Sequence, residues 1–297
     1  MDKAGGFDIE GLGSVFIHRI EGCYSNVIGL PMAKLTSMLK KVGVSILGLL
    51  ITINLIGCAT EYNLATKEEE SLMYGTEKEV KIGEAFAQKV EKEYPVITDV
   101  DVNERVERVL NRIVPVCDRH DIVFFIKVLD KDIMNAVSLP GGYIYVFKRL
   151  LDKVDNDDQL AGVIAHEVGH ITAKHGVKKL QASYAALLAQ VAAIKVAPQA
   201  AAGVGVAITS LFMEHSQADE FQADQLGVKY MKKAGYNPSE MLNLLQKLKA
   251  QEEKEPIRPY SYWRTHPYIA QRIAAVNQSV TGKIEFSDYL NLIGNEK

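Results

Sequence analysis

The sequence predicts an α+β domain that is mainly helical and carries one small β-sheet. Helical periodicity occupies both flanks of the domain, whereas only two short β-branched and aromatic runs occur, side by side in its middle. Strands and helices do not alternate along the chain as a doubly wound sheet would require. At 297 residues, 47% apolar and 24% charged, the chain has material for a sizeable core, and one main domain with extensions is expected. No internal repeat is visible, and no helical repeat array follows the domain.

The first informative segment is Met38 to Cys58, MLKKVGVSILGLLITINLIGC. Lys40 and Lys41 precede an uncharged stretch that ends on a small residue and a cysteine, the parts of a secretory signal. The stretch is short for a membrane span, which needs about 20 apolar residues, and Thr52 and Asn54 weaken it further. A transmembrane anchor with an incidental cysteine is the alternative. Leu55-Ile56-Gly57-Cys58 resembles the lipobox of bacterial lipoproteins, which implies cleavage before Cys58 and lipidation of its thiol. Translation is then expected to start at Met38 or Met32, with residues 1–37 an upstream extension and 38–57 the signal. Cys117 is left as an ordinary thiol, so no intramolecular disulfide is expected.

Residues 58–70 are polar and read as a tether, with the folded domain running over 71–297. Residues 71–94 carry Val80, Ile82, Ala85, Phe86 and Val90 at helical spacing. A second helix is expected over Val102 to Val114, stopped by Pro115. Ile122 to Leu129 and Tyr143 to Phe147 are the two strand-like runs, the second following the turn signal Leu139-Pro140-Gly141-Gly142. Asp157 to Lys179 then reads as a strong helix: two aspartates suit its positive N-terminus, and Leu160, Val163, Ile164, Val168 and Ile171 form an apolar stripe. Ala182 to Phe212 is rich in Ala, Val and Gly, but Lys195, Pro198 and Gln199 interrupt it. It is expected as two helices and a loop beside the active site, with membrane-surface contact as a lesser alternative.

The formal net charge of −3 supplies no basic field, and no Lys/Arg stripe is interleaved with aromatics, which argues against nucleic acid as a partner. The chemistry lies in His166-Glu167-Val168-Gly169-His170, an H-E-x-x-H sequence on the strongest helix. At 3.6 residues per turn its histidines stand one turn apart and about 40° around the axis, so both rings can reach one tetrahedral ion. Glu167 projects beside them as a general base for a water. Two surface histidines on a helix are the plain alternative.

A third protein ligand is expected of a catalytic zinc site. His175 follows His166 by nine residues, about half a turn round a continuous helix, and would point away. The metzincin spacing fails, because Gly176 stands where its third histidine belongs and Ala173 where its glycine does. Glu220, in Glu220-Phe221-Gln222-Ala223-Asp224, is the better candidate. Asp224 lies one turn further on, where it could orient a ligating histidine. A solvated acidic helix face is the competing reading of that pair.

These motifs resemble those of peptidase family M48, the group that includes HtpX, the CAAX prenyl endopeptidases, BepA and LoiP. The likeness runs from about Tyr74 to Ile273. Asn135-Ala136 followed by Leu139 to Val146 is similar to the family's substrate-pairing edge strand, which makes Asn135, Ala136, Gly142 and Tyr143 candidate substrate contacts. Glu220 and Ala223-Asp224 match its third ligand and following Ala-Asp, and His266-Pro267 with Arg272 matches its late signature. Gln217 departs from the arginine that relatives often carry.

The resemblance implies a gluzincin-type fold with one zinc ion held by His166, His170 and Glu220. It implies Glu167 as base, and His266 near the zinc as oxyanion stabiliser or as a resting-state occupant of the open position. A packing role is the alternative for His266. In layout the chain resembles a LoiP-like lipoprotein. The implied function is zinc-dependent endopeptidase action on unfolded or misassembled envelope proteins, from an outer-membrane lipid anchor at Cys58 facing the periplasm, with envelope assembly machinery as a candidate partner. The rival is a catalytically silent lipoprotein acting as a chaperone or assembly factor.

Overall fold

A computed structural model of the chain describes residues 59–183, 215–252 and 261–282. The expected signal, Cys58 and nearly all of the Ala182 to Phe212 segment lie outside the described residues. The folded unit begins at Ala59.

Its first element is not the expected tether. Strands β1 (Ala59–Asn63) and β2 (Glu68–Leu72) form an antiparallel hairpin, with Ala59 opposite Leu72 and Asn63 opposite Glu68. Leu72 supplies an apolar contact, but polar groups do most of the docking. Asn63 Nδ2 donates to the Thr172 carbonyl at 3.1 Å, Lys178 Nζ meets Glu70 at 2.7 Å, and Lys174 Nζ meets Glu61 at 2.6 Å. Glu-rich composition thus concealed a hairpin whose acids face lysines far along the chain.

Helix α1 (Thr76–Glu93) begins after the hairpin, later than periodicity alone suggested, and α2 (Val100–Ile113) is capped by Asp99, whose side chain accepts from Val102 N–H. Pro115 then sits in a tight turn that ends the helical run. The sheet is built from β3 (Phe125–Leu129), β4 (Ala136–Leu139) and β5 (Tyr143–Phe147), in the order β3-β5-β4. β3 and β5 run parallel, with Phe125 opposite Tyr143, and β4 runs antiparallel to β5, with Leu139 opposite Tyr143.

β5 is therefore the middle strand, and its alternating sides serve two cores. Ile144 and Val146 pack with α2 residues Val106 and Ile113, while Tyr145 and Phe147 pack with α1 residues Ala87 and Val90. A strand buried on both faces needs an unbroken apolar run, as Tyr143 to Phe147 is. The expectation that the segment Leu139 to Val146 is an edge strand that pairs with substrate is corrected here for Tyr143 to Val146, because both backbone edges of β5 are already paired. The outer strands are β3 and β4: β3 also meets Val96 through a single bridge at Leu129, whereas β4 among the described residues pairs only with β5.

After the short helix α3 (Lys148–Leu151), α4 (Asp157–Thr172) runs through the middle of the molecule, its N-terminus capped by the Asn156 side chain. Every residue from Gln159 to Thr172 is buried, so the apolar stripe read from sequence is a helix enclosed all round. The helix also ends early. Ala173 and Lys174 form a turn, Lys174 has φ of 57°, and residues 175–183 resume as a separate helical stretch. Helices α5 (Gln217–Ala234), α6 (Ser239–Glu252), α7 (Tyr262–Thr265) and α8 (Ile269–Thr281) complete the described fold. Among the described residues no helix is long and apolar enough to cross a membrane.

Candidate metal centre

α4 and α5 approach closely because small residues face each other. A Cβ built on Gly169 would stand 2.8 Å from the Ala223 carbonyl oxygen, and one on Gly227 would stand 3.3 Å from the His166 nitrogen. That approach carries Glu220 to the two histidines of α4. His166 Nε2 and His170 Nε2 are 3.0 Å apart, and the Glu220 oxygens lie 3.6 and 3.3 Å from them. His266, at the end of α7, completes the group: one ligand-type atom from each of His166, His170, Glu220 and His266 lies within 4.8 Å of the other three. All four side chains are buried.

Each histidine is held by its other nitrogen. Asp224 Oδ1 lies 2.8 Å from His166 Nδ1, as expected from its place one turn beyond Glu220. Thr265 Oγ1 lies 2.8 Å from His266 Nδ1, and the Tyr262 ring stacks on His266 at 4.7 Å. The packing alternative for His266 does not describe a ring whose Nε2 is buried, unbonded and 3.3 Å from Glu167 Oε1. His170 Nδ1 lies 2.7 Å from His175 Nδ1. The break at residues 173–174 swings His175 under His170, where a continuous helix would have turned it away.

Arg272 is the residue whose role the motif did not reveal. It is fully buried on α8, contacts Asp224 at 2.7 and 2.8 Å, and reaches Glu220 Oε2 at 2.8 Å. Its guanidinium also meets the Tyr262 hydroxyl at 3.1 Å, tying α5, α7 and α8 together behind the histidines. The match of His266-Pro267 and Arg272 to the late signature of the family was the only signal for it.

The candidate substrate contacts separate. Asn135 is fully buried and structural: its Oδ1 accepts from Ala136 N–H and from the Thr265 hydroxyl, so it supports the loop that carries His266. Ala136 begins the outer strand β4. Gly142 and Tyr143 lie on the β3 side: a Cβ on Gly142 would stand 2.1 Å from the Val123 carbonyl oxygen, and Tyr143 stacks on Phe125 at 5.0 Å. The part of β4 beside the site is Ser138-Leu139, which lines a small cavity with Pro140, His170 and Val177.

The electrostatics fit a divalent cation. Glu167, Glu220 and Asp224 are three enclosed carboxylates, of which the single guanidinium of Arg272 contacts Glu220 and Asp224, so full ionisation leaves two negative charges unmatched among them. Both oxygens of Glu167, both of Glu220 and Nε2 of His266 lack a well-formed hydrogen bond, the Glu220 contact with Arg272 being an ion pair only. Buried polar atoms rarely go unsatisfied without a function. Burial raises the Glu220 carboxyl above its ordinary range despite Arg272, as expected of an acid short of positive charge. Burial, helped by His215 and His166, holds His170 well below the usual imidazole value and therefore neutral, with a lone pair to offer. Burial also opposes ionisation of Glu167, yet His266, His166 and Ser138 outweigh it and keep that carboxyl below its ordinary range. Two imidazoles and a carboxylate are a donor set suited to zinc.

Comparison with known proteins agrees with this geometry. The profile described as Peptidase family M48 matches residues 101–280. A beta-barrel assembly-enhancing protease of Yersinia pestis is 24% identical over 209 residues, covering 67% of this chain and 43% of that protein. The mitochondrial metalloendopeptidase OMA1 of Schizosaccharomyces pombe is 28% identical over 174 residues, 58% of this chain and 51% of its own length. The chain thus spans about half the length of these curated relatives. Residues 1–42 instead match the profile described as Maf-like protein, and a dTTP/UTP pyrophosphatase of Syntrophomonas wolfei is 57% identical over 47 residues, 16% of this chain and 25% of that protein. The Maf-like match includes Lys40 and Lys41, the basic start of the expected signal.

Proposed function

We propose, from the premise that this chain belongs to peptidase family M48, that it is a zinc-dependent endopeptidase acting on extended segments of unfolded or misassembled envelope proteins. The observation that carries the reading is the convergence of His166, His170, Glu220 and His266 beside a buried Glu167 whose oxygens lack a well-formed hydrogen bond. His166, His170 and Glu220 would hold one zinc ion. A bound zinc supplies Lewis acidity, which lowers the pKa of water and polarises a scissile carbonyl.

The rest is done by the chain. Glu167 accepts a proton from water and can return it to the leaving amine. His266 Nε2, 3.3 Å from Glu167 and anchored from behind by Thr265 and Tyr262, faces the same space and suits stabilisation of a developing oxyanion. Asp224 and Arg272 hold His166 so that its Nε2 points at Glu220. The outer edge of β4 offers an extended chain backbone pairing next to His170.

Support for an envelope role comes from the likeness to the beta-barrel assembly-enhancing protease of Yersinia pestis and from the lipobox-like Leu55-Ile56-Gly57-Cys58. On this reading Cys58 carries lipid at an outer membrane, facing the periplasm. The Maf-like match covers residues 1–42, apart from the residues matched to the peptidase family, and supports treating the start of the chain as separate from the peptidase unit.

The test is hydrolysis of casein by the purified protein. Cleavage should disappear with a chelator, return with zinc, and fall by at least ~10²-fold in Glu167→Gln while zinc content stays at one per chain. Cleavage that persists in zinc-loaded Glu167→Gln, or a wild-type protein that binds no zinc, would overturn the assignment.

A further inference from the structure

Resting on that metal-peptidase reading, we propose that His175 is a positioning residue that fixes the tautomer of His170, so that His170 presents an unprotonated Nε2 to the metal. Its place in the fold makes this specific. His175 follows the turn at Ala173 and Lys174, is buried, and sets its Nδ1 2.7 Å from His170 Nδ1. Two nitrogens at that separation share one proton, and the geometry between the rings alone does not say which ring owns it.

The other side of His175 decides. Its Nε2 lies 2.9 Å from Gln222 Oε1 and 3.4 Å from Asp219 Oδ1. A carboxylate can only accept, so the proton of neutral His175 belongs on Nε2. Asp219 is not free to turn away, because its other oxygen accepts from Ser216 N–H in the capping box that starts α5. With Nε2 protonated, His175 Nδ1 is an acceptor, His170 Nδ1 is the donor, and His170 Nε2 carries the lone pair. That nitrogen lies 3.3 Å from Glu220 Oε1. The chain from Asp219 through His175 to His170 therefore sets the donor state of one ligand from the helix that supplies another.

The test uses the full chain. Wild-type zinc affinity is measured by chelator competition, alongside His175→Phe, His175→Asn and His175→Gln. Asparagine places an acceptor near the position of the lost Nδ1, whereas glutamine reaches only toward Nε2. Loss of the orienting partner should weaken zinc binding by about 10- to 100-fold in His175→Phe and His175→Gln, and His175→Asn should recover most of it. Equal affinities in wild type and His175→Phe, or rescue by glutamine and not asparagine, would overturn the proposal while leaving the peptidase reading intact. A wild-type protein that binds no zinc would overturn both. Should the variants fail to fold, nitrogen NMR of histidine-labelled, metal-free wild type decides directly: His170 protonated on Nδ1 supports the proposal, and protonated on Nε2 refutes it.

Discussion

Asp224 and Arg272 form a two-pronged ion pair, 2.7 and 2.8 Å, with neither side chain reaching solvent. Burial alone would raise the Asp224 carboxyl, but Arg272 and His166 outweigh it and hold its pKa at about 2, below the ordinary 3.8. A depressed folded-state pKa contributes stability above the unfolded value and loses it as pH falls toward the folded one. Unfolding free energy of the metal-free protein should therefore fall by about 2 kcal/mol between pH 4 and pH 2 on account of this group. Urea unfolding across that range checks it against Asp224→Asn, whose profile should lack that portion of the slope. Parallel profiles for the two proteins would contradict the assignment.

Gly169→Ala should destabilise, against the usual sign. In an open helix the change gains roughly 0.5–1 kcal/mol. Here the added methyl stands 2.8 Å from the Ala223 carbonyl and 3.1 Å from its Cα, both backbone atoms that cannot step aside. A loss of about 1–3 kcal/mol is expected, together with weaker zinc binding as α5 is pushed back. Chemical denaturation and chelator competition measure the two effects, and a more stable protein with unchanged zinc affinity would disprove the close-approach argument.

His266→Ala should lower kcat by about 10²-fold with little change in KM, because an oxyanion contact forms mainly with the developing charge. Steady-state kinetics on zinc-loaded, folded protein provides the measurement. A faster variant would instead mark His266 as a group that substrate must displace, and unchanged kcat and KM would leave it without a functional role.

Much of the site was legible because two regular helices, α4 and α5, hold most of it. The spacing of His166 and His170 within an apolar helical pattern determined their joint direction, and the Glu220 to Asp224 interval did the same on α5. What sequence could not convey came from interrupted periodicity and from distant partners. Lys174 adopts a left-handed backbone without a glycine or proline to announce it, so the return of His175 toward His170 was unreadable. The hairpin of residues 59–72 lacked an apolar signature because its acids meet Lys174 and Lys178 more than a hundred residues later. The central position of β5, by contrast, could have been read: Tyr143 to Phe147 has no polar face to turn toward solvent, and an outer strand usually does.

β4 is short, no other strand pairs with its outer side among the described residues, and the main-chain groups of an extended strand recur at regular intervals. A polypeptide can answer that pattern only with backbone groups not yet committed to its own helices and sheets. On the proposed reading, an edge used in this way would sort chains by their state of completion, and a segment would leave its reach by finishing its fold.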